Sequence, residues 1–179
     1  MANLAFDRNE LVVTRTPEYE PYGAATHLPM IGELPGLLPG EQFDVVFADP
    51  WHTMCESRLA LRWAIDHVAP GGWLVVHDCW PHQPELLGPY RGSGSPWCGD
   101  TGWAFQELAR AQGNPWCVID DDFGIGVIGP VVQTCPAPAA PGAAPDAAQQ
   151  WDWLLAHRDA PWLVTPQAWF AELQAAHAH

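Results

Sequence analysis

FDVVFADPWHTMCESRLALRWAIDHVAPGGWLVVHD, residues 43–78, is the stretch that decides the fold. Phe43 to Ala48 is a short run of apolar, β-branched and aromatic residues closed by Asp49-Pro50, the pattern of a strand buried on both faces. Thr53 to Ala69 then sets Leu61, Ala64, Ile65 and Val68 at i, i+3, i+4 and i+7, with Glu56, Arg62 and Asp66 on other faces. That spacing predicts an amphipathic helix, stopped by Pro70-Gly71-Gly72. Trp73 to His77 is a second apolar run, ending at Asp78. Strand, helix and strand in so short a span form a βαβ unit, two parallel strands joined by a right-handed crossover.

Outward from this unit the signal weakens. Upstream, Pro17, Pro21, Pro29, Pro35 and Pro39 punctuate residues 1–42, where Glu10 to Arg15 reads as a strand and Ile31 to Leu38 at most as a helical turn. Downstream, Cys79 to Gly99 is rich in Pro and Gly without a period, and long loops of this kind are often lids or binding loops. Asp100 or Thr101 can cap a helix over Gly102 to Gln112, and Trp116 to Asp120 with Gly124 to Val132 reads as a closing antiparallel hairpin. Two short helices end the chain, Gln150 to His157 and Pro166 to Ala176, the second with Thr165 as N-cap and proline at its first position. The expected organisation is an α/β domain over 1–133 with an atypical segment at 1–42, an Ala/Pro-rich linker over 134–149, and a helical tail over 150–179. The expected fold is α/β and Rossmann-like, mostly parallel, with reduced N-terminal strands.

Composition narrows the function classes. The 179 residues carry 7 basic and 21 acidic side chains, a formal charge of −14, and every basic residue is arginine. Such a surface repels a phosphate backbone, whose binding needs clustered positive charge, so nucleic acid is not an expected partner. Five widely spaced cysteines (Cys55, Cys79, Cys98, Cys117, Cys135) with no C-x-x-C pair indicate neither a disulfide framework nor a cysteine-rich zinc site. No run is long and apolar enough to span a bilayer, and the first ten residues include Asp7, Arg8 and Glu10, so the expectation is a cytoplasmic protein with no membrane partner.

In an open parallel sheet, ligands lie beyond the carboxyl ends of the strands, where Asp49 and Asp78 both stand. Neighbouring strands are roughly 4.8 Å apart, so these carboxylates, with His52 and His77, can converge on one point. Hard oxygens with imidazoles suit a divalent metal, or a general base beside a polarised hydroxyl. The structural alternatives are a helix-capping Asp49, an exposed His52 and a buried His77 bonded to a carbonyl. Asp100 reads better as a helix cap, and Asp120-Asp121-Asp122 better as a turn than as a metal loop, because alternate side chains of an extended segment point opposite ways. Gly124-Ile125-Gly126 precedes a strand, so it does not cradle a phosphate at a helix N-terminus.

Several blocks in order, FDVVFADPWHT from Phe43, APGGWLVVHDC from Ala69, WCGDT from Trp97, IDDDFGIGVI from Ile119, and WDWLLAHR followed by LVTPQAWF from Trp151 and Leu163, resemble bacterial class I S-adenosylmethionine-dependent methyltransferases. The resemblance covers about Glu33 to Leu173. It implies a Rossmann-like sheet with Asp49 and His52 facing the bound cofactor or acceptor and a divalent metal such as Mg²⁺ on Asp49 and Asp78. Taken with the strand-end reading, the expected site is S-adenosylmethionine contacted by Asp49, Pro50 and Trp51, catalytic roles for Asp49, His52 and His77, and a metal on Asp49, His52 and Asp78. The chain departs from the family upstream of Phe43, where the 42 residues hold no G-x-G and one strand-like run, so it reads as N-terminally shortened.

Three functions follow as expectations. The first is a methyltransferase-like enzyme carrying out O- or N-methylation of a small molecule, with metal assistance at Asp49 and Asp78. The second is a metal-dependent enzyme of another reaction on the same fold, using Asp49, His52, His77 and Asp78, with His82 as a further candidate. The third is a non-catalytic partner subunit. An uncovered flank of the sheet would make a homo-oligomer or hetero-complex the expected assembly. Trp80, Tyr90 and Trp97 in the long loop suit a small, partly apolar acceptor, and serve equally well as core packing.

Overall fold

Strand pairing across a mixed open sheet organises the molecule. The computed structural model describes residues 2–7, 10–15, 26–27, 39–90, 96–132 and 144–177. Eight strands, β1 (Ala2–Asp7), β2 (Glu10–Arg15), β3 (Thr26–His27), β4 (Phe43–Asp49), β5 (Val68–Val76), β6 (Trp116–Ile119), β7 (Ile125–Ile128) and β8 (Leu163–Val164), lie in the order β3-β2-β1-β4-β5-β7-β6-β8. The helices are α1 (Met54–Asp66), α2 (Thr101–Gln112), α3 (Ala147–Ala156) and α4 (Pro166–His177). The βαβ unit is present as expected, with β4 and β5 parallel and α1 between them.

The sheet is mixed rather than mostly parallel. β1 runs parallel to β4 and β6 parallel to β8, whereas β1–β2, β2–β3, β5–β7 and β6–β7 are antiparallel. Three N-terminal strands stand where one was expected, and the helical turn expected over Ile31 to Leu38 lies outside the described residues. β1 ends at Asp7 and β2 begins at Glu10, so only two residues join them. The chain goes to one side of β1 for β2 and β3, and to the other for β4 and β5, and in that register Asp7 stands opposite Asp49.

The central strands bury their two faces unequally. Phe43, Val46 and Ala48 of β4 and Leu74 and Val76 of β5 are sealed beneath α1 and α2, while Val45, Phe47, Trp73 and Val75 are half-buried. The core under the helices joins Leu61, Ala64 and Ile65 of α1 to Phe105, Leu108 and Ala109 of α2, which is the face the helical spacing marks. β5 starts earlier than its apolar run. Val68 pairs with Phe43, and the Pro70-Gly71-Gly72 stretch is absorbed as a bulge within the strand instead of a loop before it.

The C-terminal segment docks onto this body. Asp146 and Gln149 close a reciprocal capping box, so α3 starts three residues inside the stretch read as a linker. Buried Gln150 donates from Nε2 to Asp100 Oδ1 at 2.6 Å, which takes the carboxylate expected to cap α2 and uses it to hold α3 instead. Trp153 packs on Trp103 and Trp162, and β8 adds to the sheet edge.

Candidate functional site

The candidate residues gather at the carboxyl ends of β4 and β5. His77 follows β5 and donates its backbone N–H to Ala48 O at 3.0 Å, continuing the ladder by one residue. Asp78 then takes a left-handed backbone, φ +60°, a conformation that Asp and Asn adopt more readily than other residues with a Cβ. This places a buried carboxylate over the end of the neighbouring strand.

His52 is the hub. Its Nδ1–H donates to the carbonyl oxygen of Trp97, so Nε2 is the free position of the ring. Nε2 lies 3.2 Å from Asp49 Oδ1 and 3.1 Å from Asp78 Oδ2. A lone pair held between two carboxylate oxygens is repelled by both, so a proton or a metal cation belongs at that point. His77 stands on the other side, with Nδ1 3.4 Å from Asp78 Oδ2 and 3.8 Å from Asp49 Oδ1, and Nε2 3.3 Å from Asp122 Oδ2. The Cys98 thiol donates to Asp78 Oδ1 at 3.3 Å.

The electrostatics follow from these contacts. Burial opposes charge on Asp49, but the hydrogen bond from His52 and the neighbouring His77 imidazolium outweigh it and hold the carboxyl well below the usual carboxylate range. Burial likewise opposes charge on His52, and the bonds to Asp49 and the field of Asp78 overcome it, raising its pKa. His77 is pushed up to about 11, chiefly by the Asp49 and Asp78 carboxylates beside its Nδ1. Burial pushes the Cys98 thiol far up, with the neighbouring Asp78 charge adding to it, so this sulfur remains a neutral donor.

The signs predict a pH profile. Without metal, the imidazolium contacts stabilise fully below the unfolded histidine value of 6.5 and are lost as pH rises through the elevated folded values. The Asp49 contribution is present above 3.8 and lost as pH falls through its depressed folded value. Thermal melts of metal-free protein should therefore show the cluster's largest contribution between 3.8 and 6.5, with Tm declining above that window. Added Mn²⁺ should reverse the alkaline trend, because coordination displaces the His52 proton. A metal-free Tm that climbs as pH rises past 6.5 would contradict these assignments.

Asp49, His52 and Asp78 each present one ligand atom within 4.8 Å of the others, a group able to hold a metal ion. Two carboxylates and one imidazole match the hard-to-borderline divalent ions, Mg²⁺ and Mn²⁺ among them. The Trp97 carbonyl fixing the far side of His52 is the outer-shell partner that metal-bound imidazoles use.

Of the residues singled out in the sequence, the structure brings Asp49, His52, His77 and Asp78 together. Pro50 is buried beside them. Trp51, 36% exposed, forms a trio of rings with Tyr90 and Trp97, centroids 5.1–5.2 Å apart, next to His52. His82 stands apart, 3.8 Å from Asp120. Asp122, read in the sequence as part of a turn, also reaches the site, and neither the Cys98 thiol nor the Trp97 carbonyl was assigned a role there. The WCGDT block carried the last two, and their signal was its glycine. Gly99 has φ +52°, and a Cβ there would sit 2.1 Å from His52 O. Gly124, at φ +88°, lets the hairpin tip lie against Trp80, whose N–H donates to Phe123 O at 2.7 Å.

The fold and this site define an α/β protein with a mixed open sheet and an Asp-His-Asp group at the carboxyl ends of two parallel strands. Compared with protein-family models and with curated proteins, the chain matches none. Among the described residues, no helix is long and apolar enough to cross a membrane.

Proposed function

We propose that this chain is a divalent-metal-dependent enzyme acting on a small molecule at Asp49, His52 and Asp78. The observation that carries the reading is His52 Nε2, held between two carboxylates by a carbonyl on the other side of its ring. A cation bound there would polarise a substrate hydroxyl and lower its pKa. His77, 20% exposed and 3.8 Å from Asp49 Oδ1, is placed to hold a proton beside that carboxylate and to pass it to a substrate atom. Cys98 and the Trp97 carbonyl orient Asp78 and His52 without reacting.

Methyl transfer from S-adenosylmethionine to oxygen or nitrogen is the second reading. The sequence blocks around the site support it, as does the Trp51–Tyr90–Trp97 trio beside His52, which offers exposed aromatic surface to a planar base. The β1–β2 connection does not fit that cofactor's usual cradle. Two residues link these strands, so no glycine-rich loop and no helix N-terminus follow β1. On that ground the metal-dependent reading is preferred.

Calorimetry separates the two. The first reading predicts saturable heat with Mn²⁺ or Mg²⁺ and none with S-adenosylmethionine or S-adenosylhomocysteine. The second predicts binding of the nucleosides as well. A dialysed protein whose Tm is unmoved by excess divalent ions would exclude both metal-assisted forms, since a ligand of the native state must stabilise it.

A further inference from the structure

We propose that the hollow between the segment following β5 and helix α3 is a binding site for a small aromatic carboxylate, going beyond the metal-dependent reading and independent of it. The hollow measures about 200 Å³ and is lined chiefly by Trp80, His82, Asp120, Trp151, Leu154 and Arg158. At about 30 Å³ per water it holds roughly six or seven waters' worth of ligand, the size of one ring with a short acidic substituent.

Its chemistry is divided. Trp80 and Leu154, 5% and 8% exposed, give a rigid apolar floor, and Trp80 is fixed from behind by edge contacts to Trp153 and Trp162. Arg158 stands at the rim. Among the arginines whose side chains are described, Arg58 pairs with Glu107, Arg62 with Asp66, and Arg110 lies over the Trp153 ring, whereas Arg158 has neither a carboxylate nor a ring partner. In a chain of charge −14 with three acidic side chains for each basic one, an arginine left unpaired beside an apolar hollow is a fork of donors shaped for a carboxylate. Asp120, 3.8 Å from His82 on the same rim, offers an acceptor to a hydroxyl or ammonium substituent of the ring. The site opens at the same end of the sheet as the metal group. Trp80 lies two residues after Asp78, and Asp120 two before the Asp122 that meets His77.

The test is titration of the full chain with phenylacetate and with its neutral isostere phenylacetamide, followed by tryptophan fluorescence and calorimetry. Phenylacetate should bind saturably, and phenylacetamide about tenfold or more weaker, the loss expected for one charge-assisted contact. Arg158→Gln should bring phenylacetate down to the amide's affinity while leaving the amide, Mn²⁺ binding and Tm unchanged, because Arg158 is an exposed side chain. Leu155→Trp, from a position 39% exposed at the mouth, should block both ligands. Equal binding of acid and amide, no saturable binding of either, or an Arg158→Gln variant that binds phenylacetate as the parent does would each overturn the proposal. None of these outcomes bears on the metal group, whose Mn²⁺ titration is read separately.

Discussion

Asp78→Asn should lower the affinity for Mn²⁺ by about 100-fold or more while leaving a cooperative melt. Outer-shell partners of metal ligands typically contribute about 10–100-fold, and Asp78 would be a ligand itself, so its loss belongs at or above the top of that range. Asn has the same shape and shares the tolerance for φ +60°, so the turn after β5 survives the change. What it lacks is the charge that faces His52 at 3.1 Å and His77 at 3.4 Å. Isothermal titration of the variant against the parent reads the effect directly. Parent-like Mn²⁺ affinity in Asp78→Asn would mean that the cluster is a set of imidazolium–carboxylate contacts serving stability alone.

Gly99→Ala should cost about 2–4 kcal/mol of stability and disturb the site together with the fold. The left-handed backbone alone costs roughly 1–2 kcal/mol for a residue with a Cβ. The added methyl would meet His52 O at 2.1 Å and His52 Cβ at 2.9 Å, and a backbone oxygen cannot rotate away. The same oxygen accepts the Asp100 N–H at 2.8 Å, while Trp97, two residues before Gly99, supplies the carbonyl that fixes the His52 ring. Pushing the loop off His52 therefore frees the ring, and weaker Mn²⁺ binding should accompany the lower Tm. An unchanged melting curve would show that this loop does not bear on His52 as closely as described.

How much was legible in the sequence depends on how local the determinant is. The β4–α1–β5 unit follows from two apolar runs and one helical spacing, and Asp49, His52, His77 and Asp78 follow from their places at the strand ends. The N-terminal strands were only partly legible. ANLAFD has no strong alternation, and its strand status comes from pairing with β2 and β4, partners that no short window reveals. The two-residue strand β8 depends in the same way on β6.

The site's remaining members come from far along the chain. Trp97 reaches His52 across 45 residues, and Asp122 reaches His77 across 45. In the sequence, Asp122 reads as part of a turn, because extended segments point successive side chains apart. The hairpin tip is not extended: φ is +43° at Asp122 and +63° at Phe123. That curl, closed by the Gly124 N–H donating to Asp121 O at 2.7 Å, turns Asp122 toward His77. The mixed sheet and the short β1–β2 connection had no sequence signal beyond the missing glycine loop.

The central claim is a divalent cation held at Asp49, His52 and Asp78, and crystals soaked in Mn²⁺ and measured for anomalous scattering test it most directly. The expected result is one strong anomalous peak within coordination distance of Asp49 Oδ1, His52 Nε2 and Asp78 Oδ2, lost in Asp78→Asn crystals. A map with no peak there, and His52 still hydrogen-bonded to both carboxylates at saturating Mn²⁺, would contradict it.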